Sequence, residues 1–128
     1  MPQEELTTGR PSNYSQWHRL NLPWWCYMTD GDWFEQRKRN GKLVSVAYIE
    51  TIQVPDIDQW SEYEPWPSKI ALGMEIETKM GIPSYIVWHS PECTKFIVKR
   101  HLTSQWKKMD GKMYKEWIQK LGIKSHDQ

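Results

Sequence analysis

The sequence predicts an α/β (α+β) fold, one mixed β-sheet flanked by helices in the order α-β-β-α-β-β-α. Three observations carry the prediction. Asn40-Gly41 lies between two strand-like runs and is the strongest short-range signal for a two-residue type I′ hairpin turn. The run after it, "KLVSVAYIETIQV", puts Val44, Val46 and Tyr48 on one face and Leu43, Ala47 and Ile49 on the other, the pattern of a strand covered on both sides. A helical stretch then separates that strand from "PSYIVWH", and a strand–helix–strand crossover after an antiparallel hairpin implies a mixed sheet.

Each element has a local reason. Residues 1–11 are polar, end in Pro11 and read as a disordered leader to a single domain over 12–124. Ser12 or Asn13 caps a first helix, "YSQWHRLN", which Pro23 bounds; Tyr14, Trp17 and either Leu20 or Leu22 form its inner face. The hairpin follows and Pro55 ends it. "PDIDQWSEYEPWP" is a loop with Asp56, Asp58, Glu62 and Glu64 and no basic residue. Pro67 and Ser68 open the second helix, where Leu72, Ile76 and Met80 recur every four residues and Gly81 supplies the stop. "PSYIVWH" and "TKFIVKRHL" are short strands. The last helix, near "DGKMYKEWIQKLG", carries Met113, Trp117 and Leu121 as its stripe and ends at Gly122.

Composition narrows the class. A chain of 128 residues builds one domain with a real core. No apolar run approaches the roughly 18 residues of a membrane span, and "MPQEELTTGRPSN" lacks the apolar centre of a signal peptide. Cys26 and Cys93 match no metal spacing, and reduced thiols in a cytoplasm are the expectation. Charge is uneven: residues 95–128 hold nine Lys and Arg against three acids, whereas residues 1–94 hold 8 basic against 13 acidic side chains. Such a basic end suits a polyanion, although a solvated helix face gives the same run. The nine tryptophans are mostly accounted for as large core rings, with stacking on bases or sugars as the sharper use.

The acids of the hairpin invite a geometric test. A regular ladder from the Asn40-Gly41 turn places Glu35 opposite Val46, on the face of Glu50 but about 13 Å from it, too far to share a metal ion. Gly31 then falls opposite Glu50, with Asp30 and Asp32 beside it. A bulge at that glycine would turn one aspartate onto the face of Glu50, where two carboxylates suit Mg²⁺ or Mn²⁺. The plainer reading makes Asp30 and Asp32 turn formers and leaves Glu50 solvated.

Together "YSQWHR…LP…CYMTDGDWFE…GKLVSVAYIET" and "GIPSYIVWH" resemble small phage-type and prokaryotic proteins of the PD-(D/E)xK nuclease superfamily, over about Tyr14 to Val98. The resemblance implies a restriction-endonuclease-like α-β-β-β-α-β core, metal-dependent hydrolysis of DNA phosphodiester bonds, and the cytoplasm of a host cell as its place. The motif aspartate falls on Asp32, with Asp30 as the alternative, and the motif glutamate on Glu50. The motif lysine position holds Ile52, which cannot polarise water or stabilise charge on a phosphate. Gln53, swung in by a bulge, or Lys69, reaching back from the next helix, would take that role. The alternative is a nuclease fold that has lost catalysis and binds nucleic acid or a host protein, as a phage accessory factor would. A homodimer is the easiest way for so small a chain to cut two strands.

Around that site, His18 and Arg19 on the first helix are placed to meet a phosphate, or His18 packs inside. Lys99, Arg100, Lys107 and Lys108, with Lys112 and Lys115, make a basic face for a nucleic-acid backbone or a solvated one. His89 reads as a satisfied strand-end residue. No GxGxxG, Walker loop, GxSxG or HExxH occurs, which removes support for nucleotide-binding and common hydrolase classes.

Overall fold

The computed structural model describes residues 13–28 and 34–122. The order is α1 (Asn13–Asn21), β1 (Tyr27–Met28), β2 (Phe34–Arg39), β3 (Lys42–Gln53), a 3₁₀ helix (Ile57–Glu62), α2 (Pro67–Met80), β4 (Ser84–His89), β5 (Lys95–Arg100), β6 (Trp106–Asp110) and α3 (Gly111–Lys120). All six strands form one sheet in the order β1-β2-β3-β4-β5-β6. Neighbours are antiparallel except β3 and β4, which the α2 crossover makes parallel, so the sheet is mixed. Among the described residues no helix is long and apolar enough to cross a membrane.

Two strands go beyond the expected order. Tyr27–Met28 pairs antiparallel with Gln36 and Glu35, so the expected first strand of the hairpin is two neighbouring strands rather than one continuous run. Trp106–Asp110 pairs with β5 and forms the far edge of the sheet. Only Met109 of that strand is buried, so it lacks the apolar alternation by which a strand is recognised.

The hairpin turn has the geometry its sequence demands. Asn40 and Gly41 both have positive φ, 52° and 80°, as a type I′ turn requires. From there the ladder runs in register as far as Gln36↔Ser45, and then Glu35 pairs with Ala47. Val46 is thus an extra residue in β3, a bulge well short of the glycine where the sequence suggested one. The slip reverses the alternation of β3. Val44, Val46, Ala47 and Ile49 all pack in the core beneath α1 and α3, while Tyr48, Glu50 and Ile52 belong to the α2 face. Glu35, opposite Ala47, therefore lies on the face away from Glu50, not on the same face as expected.

The two faces carry separate cores. On one, Tyr14 of α1 and Tyr114 and Ile118 of α3 pack on Ile49, Val87, Phe96 and Val98. Tyr114 stacks on Phe96 at 4.0 Å between centroids, and its hydroxyl meets that of Tyr14 at 2.6 Å, a pairing that satisfies two fully buried polar groups. Burial raises both phenol pKa values well above the ordinary one. On the other face Val54, Ile57, Ile86, Trp88 and Ile97 form a smaller cluster under the 3₁₀ helix and α2, and Trp60 meets Trp88 at 4.7 Å. The α3 stripe is shifted in part, since Tyr114 and Ile118 are buried with Leu121, Trp117 is half-buried and Met113 is exposed; of the two leucines offered for α1, Leu22 is the buried one and Leu20 is exposed. Trp88 is the buried tryptophan among the described residues, Trp17, Trp60 and Trp117 are half-buried, and Trp24, Trp66 and Trp106 stand largely in solvent.

Helix ends are fixed locally. Gly81, at φ 72°, closes α2 in the left-handed conformation that glycine adopts without a side-chain clash. Asp110 caps α3 by accepting a 2.8 Å bond from Met113 N. Asp110→Ala is expected to lower stability by about 0.5–2 kcal/mol, read as a shift in the denaturation midpoint. Asp110→Asn, which keeps an accepting oxygen, should recover most of that loss.

Candidate active site

Glu50 lies in the outer half of β3, paired with Ile86 of β4 across the parallel ladder. Its side chain is only 13 % exposed. The Tyr48 hydroxyl, two residues back on the same face, donates to Glu50 Oε1 at 2.9 Å. Lys69, in the first turn of α2, brings its ammonium to 4.0 Å from the same oxygen. Pro67 opens α2 with a residue suited to the first helical position, and the helix N-terminus favours the negative charge of Glu50 rather than the positive charge of Lys69.

The cleft that holds this pair has a volume of about 500 Å³. Ile52 and Thr51 from β3, Tyr63 and Glu64 from the preceding loop, and Trp66 at the head of α2 complete its walls. Trp66 is 77 % exposed. A carboxylate, a cation and a solvent-facing ring thus share one opening, and Glu50 Oε2 is left free of both Tyr48 and Lys69.

The other expected site residues fall in different places. Asp30 and Asp32 lie outside the described residues. Gln53 is not brought to Glu50. Its parity on β3 turns it to the opposite face, where its Oε1 accepts from Asn13 Nδ2 at 2.9 Å. Among the described residues no group of three or more His, Cys, Asp or Glu is arranged to hold a metal ion. Glu50 and Glu64 are the carboxylates that line the cleft, and a carboxylate oxygen is the donor type a hard cation takes.

His18 does not face a phosphate. It is buried, and its Nε2 lies 2.5 Å from Glu35 Oε2. Arg37 Nη1 reaches the other Glu35 oxygen at 2.9 Å, while its Nη2 donates to Ile118 O at 2.8 Å. The carboxylate of Glu35, fully buried, therefore ties α1, β2 and α3 together. Arg19 remains exposed on α1. Sequence reasoning missed this triad, although opposite charges at i and i+2 on an inward-facing strand position are a readable signal.

The expected basic face is divided. Lys99 and Lys108 project to the face of α2 and the 3₁₀ helix, where Lys108 pairs with Asp58 at 3.0 Å. Lys107 projects to the α3 side, opposite Val98, and Lys112 and Lys115 sit on α3 itself. Arg100 binds Glu77 of α2 through Nε at 2.9 Å. A strand at the sheet edge sends successive lysines to opposite faces, so one run in sequence becomes two patches in space.

The other described histidines and the cysteines lie wholly or partly inside. His89 is buried, its Nδ1 bonded to Ser90 O, and burial lowers its pKa. His101 bonds Ser84 Oγ through Nδ1 at 2.8 Å while its ring lies against Gly73 of α2, where even a Cβ would come within 2.3 Å. Cys26 and Cys93 are free and buried, and burial pushes both thiols up to about 11. That makes them poor nucleophiles near neutrality. No family model matches the chain, and neither does any curated protein or solved structure.

Proposed function

We propose that this chain is a metal-dependent nuclease of the PD-(D/E)xK type, acting on a nucleic-acid phosphodiester, with Glu50 as a metal ligand and Lys69 in place of the motif lysine. The observation that carries the reading is the 4.0 Å approach of the Lys69 ammonium to Glu50, which supplies from α2 the cation that Ile52 withholds. The succession α1-β1-β2-β3-α2-β4 supports it, since it follows the order of elements that the resemblance implies. The second carboxylate of the site would come from Asp32 or Asp30.

Each described residue has a task in this reading. Glu50 would hold Mg²⁺, and the Tyr48 hydroxyl steadies its carboxylate by donating to Oε1. Bound there, the ion would supply an activated water and neutralise charge on the phosphate. Lys69 keeps a positive charge beside the position of the scissile phosphate, where negative charge grows in the transition state. Trp66 and Tyr63 flank the opening.

Lys69→Ala is expected to slow Mg²⁺-dependent cleavage of plasmid and single-stranded DNA by about 10²–10³-fold, the usual loss of one transition-state contact. Lys69→Arg should retain part of the rate. Cleavage by Lys69→Ala at the wild-type rate would sink the assignment. A second reading, a non-catalytic member of the same fold, is favoured by Ile52 and by the exposed acids Glu62 and Glu64 near the cleft, which repel a duplex. DNA binding without any cleavage in Mg²⁺ or Mn²⁺ would select it.

A further inference from the structure

The groove between α3 and the β5–β6 pair combines aromatic rings with two cations, of which Arg100 is paired with Glu77 of α2. It has a volume of about 790 Å³, and no carboxylate is among the residues that line it. The sheet register builds it. Tyr85 pairs with Arg100 and Val98 with Lys107, so an aromatic ring and two cations project from adjacent rows to the α3 side. Trp117 of α3 closes the groove, its ring perpendicular to that of Tyr85 at 4.8 Å between centroids. Both rings are only half-buried.

The cations are placed to act. Lys107 is exposed and has no ion pair among the described residues. Arg100 gives Nε and Nη2 to Glu77 and keeps Nη1 free. The polar loop residues Thr103, Ser104 and Gln105 border the same opening.

We infer that this groove binds single-stranded nucleic acid, with bases against the Tyr85–Trp117 wall and phosphates at Lys107 and Arg100. Rings that accept any base face and cations that accept phosphate are the two parts such binding needs. A duplex hides its base faces and would leave the aromatic wall unused. The inference rests on the proposed function only in taking nucleic acid as the ligand; the groove lies on the opposite face of the sheet from Glu50.

The test is anisotropy of a labelled oligothymidylate in EDTA, so that cleavage plays no part. The wild type should bind, and binding should weaken as salt rises because phosphate contacts release counterions. A strand of abasic sites with the same phosphates should bind about tenfold or more weakly, a result that needs no change in the protein. Lys107→Glu should weaken binding about tenfold, whereas Lys42→Glu, the same charge change at the exposed end of the hairpin, should cost less than about twofold. An oligouridylate arm separates DNA from RNA as the natural strand. Equal binding of abasic and thymidine strands, or equal losses in the two lysine variants, would reduce the groove to diffuse charge and overturn the assignment. If cleavage is never found but these differences hold, the nuclease reading fails and the groove stands.

Discussion

Glu35→Ala is expected to cost about 3–5 kcal/mol of folding stability, the largest loss for any single substitution considered. Glu35 is fully buried, and its two oxygens are taken by His18 at 2.5 Å and Arg37 at 2.9 Å. Removing the carboxylate strands the Arg37 guanidinium, 7 % exposed, with no other ion pair among the described residues. Its remaining bonds to Ile118 O and Gln36 O, and the Trp25 ring 5.7 Å away, do not neutralise it. The loss measures stranded partners, since replacing the whole triad with apolar groups of similar volume would cost far less. Urea denaturation gives the result directly. A loss below about 1 kcal/mol would mean that Arg37 finds water in the variant and that the triad is not what joins α1, β2 and α3.

Glu50→Gln is expected to bring metal-dependent cleavage down to background while leaving the fold in place. The amide keeps the shape of the side chain and an oxygen for Tyr48, but it loses the charge that a hard cation selects. Stability should change by less than about 1 kcal/mol, because the partner lost, Lys69, is 46 % exposed and sits 4.0 Å away. The two readouts together separate chemistry from folding. Binding of Mn²⁺, followed by isothermal titration, should disappear with the activity. Cleavage by Glu50→Gln at the wild-type rate would remove Glu50 from the site and the proposed mechanism with it.

Much of the fold could be read from the residues because local signals were strong and agreed with tertiary structure. Asn40-Gly41 required two positive φ values, and Gly81 a third, and these fixed a turn and a helix end. β4 and β5 showed as short β-branched and aromatic runs bounded by breakers. The bulge at Val46 could not be read, since β3 is apolar on both faces and has no alternation for a slip to interrupt. Glu35 was obscured by its setting: "FEQRKR" looks like a solvated charge run until its partners on α1 and α3 are known. β6 was missed for the related reason that an edge strand with one buried residue has almost no apolar pattern.

The candidate site divides in the same way. The approach of Lys69 to Glu50 was open to sequence reasoning because the crossover helix that follows the strand of Glu50 begins two residues before this lysine. Gln53 failed on simple parity, as an odd-numbered neighbour of Glu50 projects to the other side of the sheet. The basic face failed because β6 was not recognised, and a strand distributes neighbouring lysines that a helix would keep nearer together. The groove beside α3 depends on cross-strand rows, which no spacing along the chain reveals.

The extra residue at Val46 uncouples two parts of one long strand. On the turn side the orientation of side chains is inherited from β2, but beyond the slip it follows the parallel pairing with β4, as in Glu50↔Ile86. The hairpin tip can therefore tolerate changes in length over generations without rotating the carboxylate out of its cleft. Natural variation in loop size should concentrate at the tip, and the segment from Ala47 to Gln53 should keep a constant length.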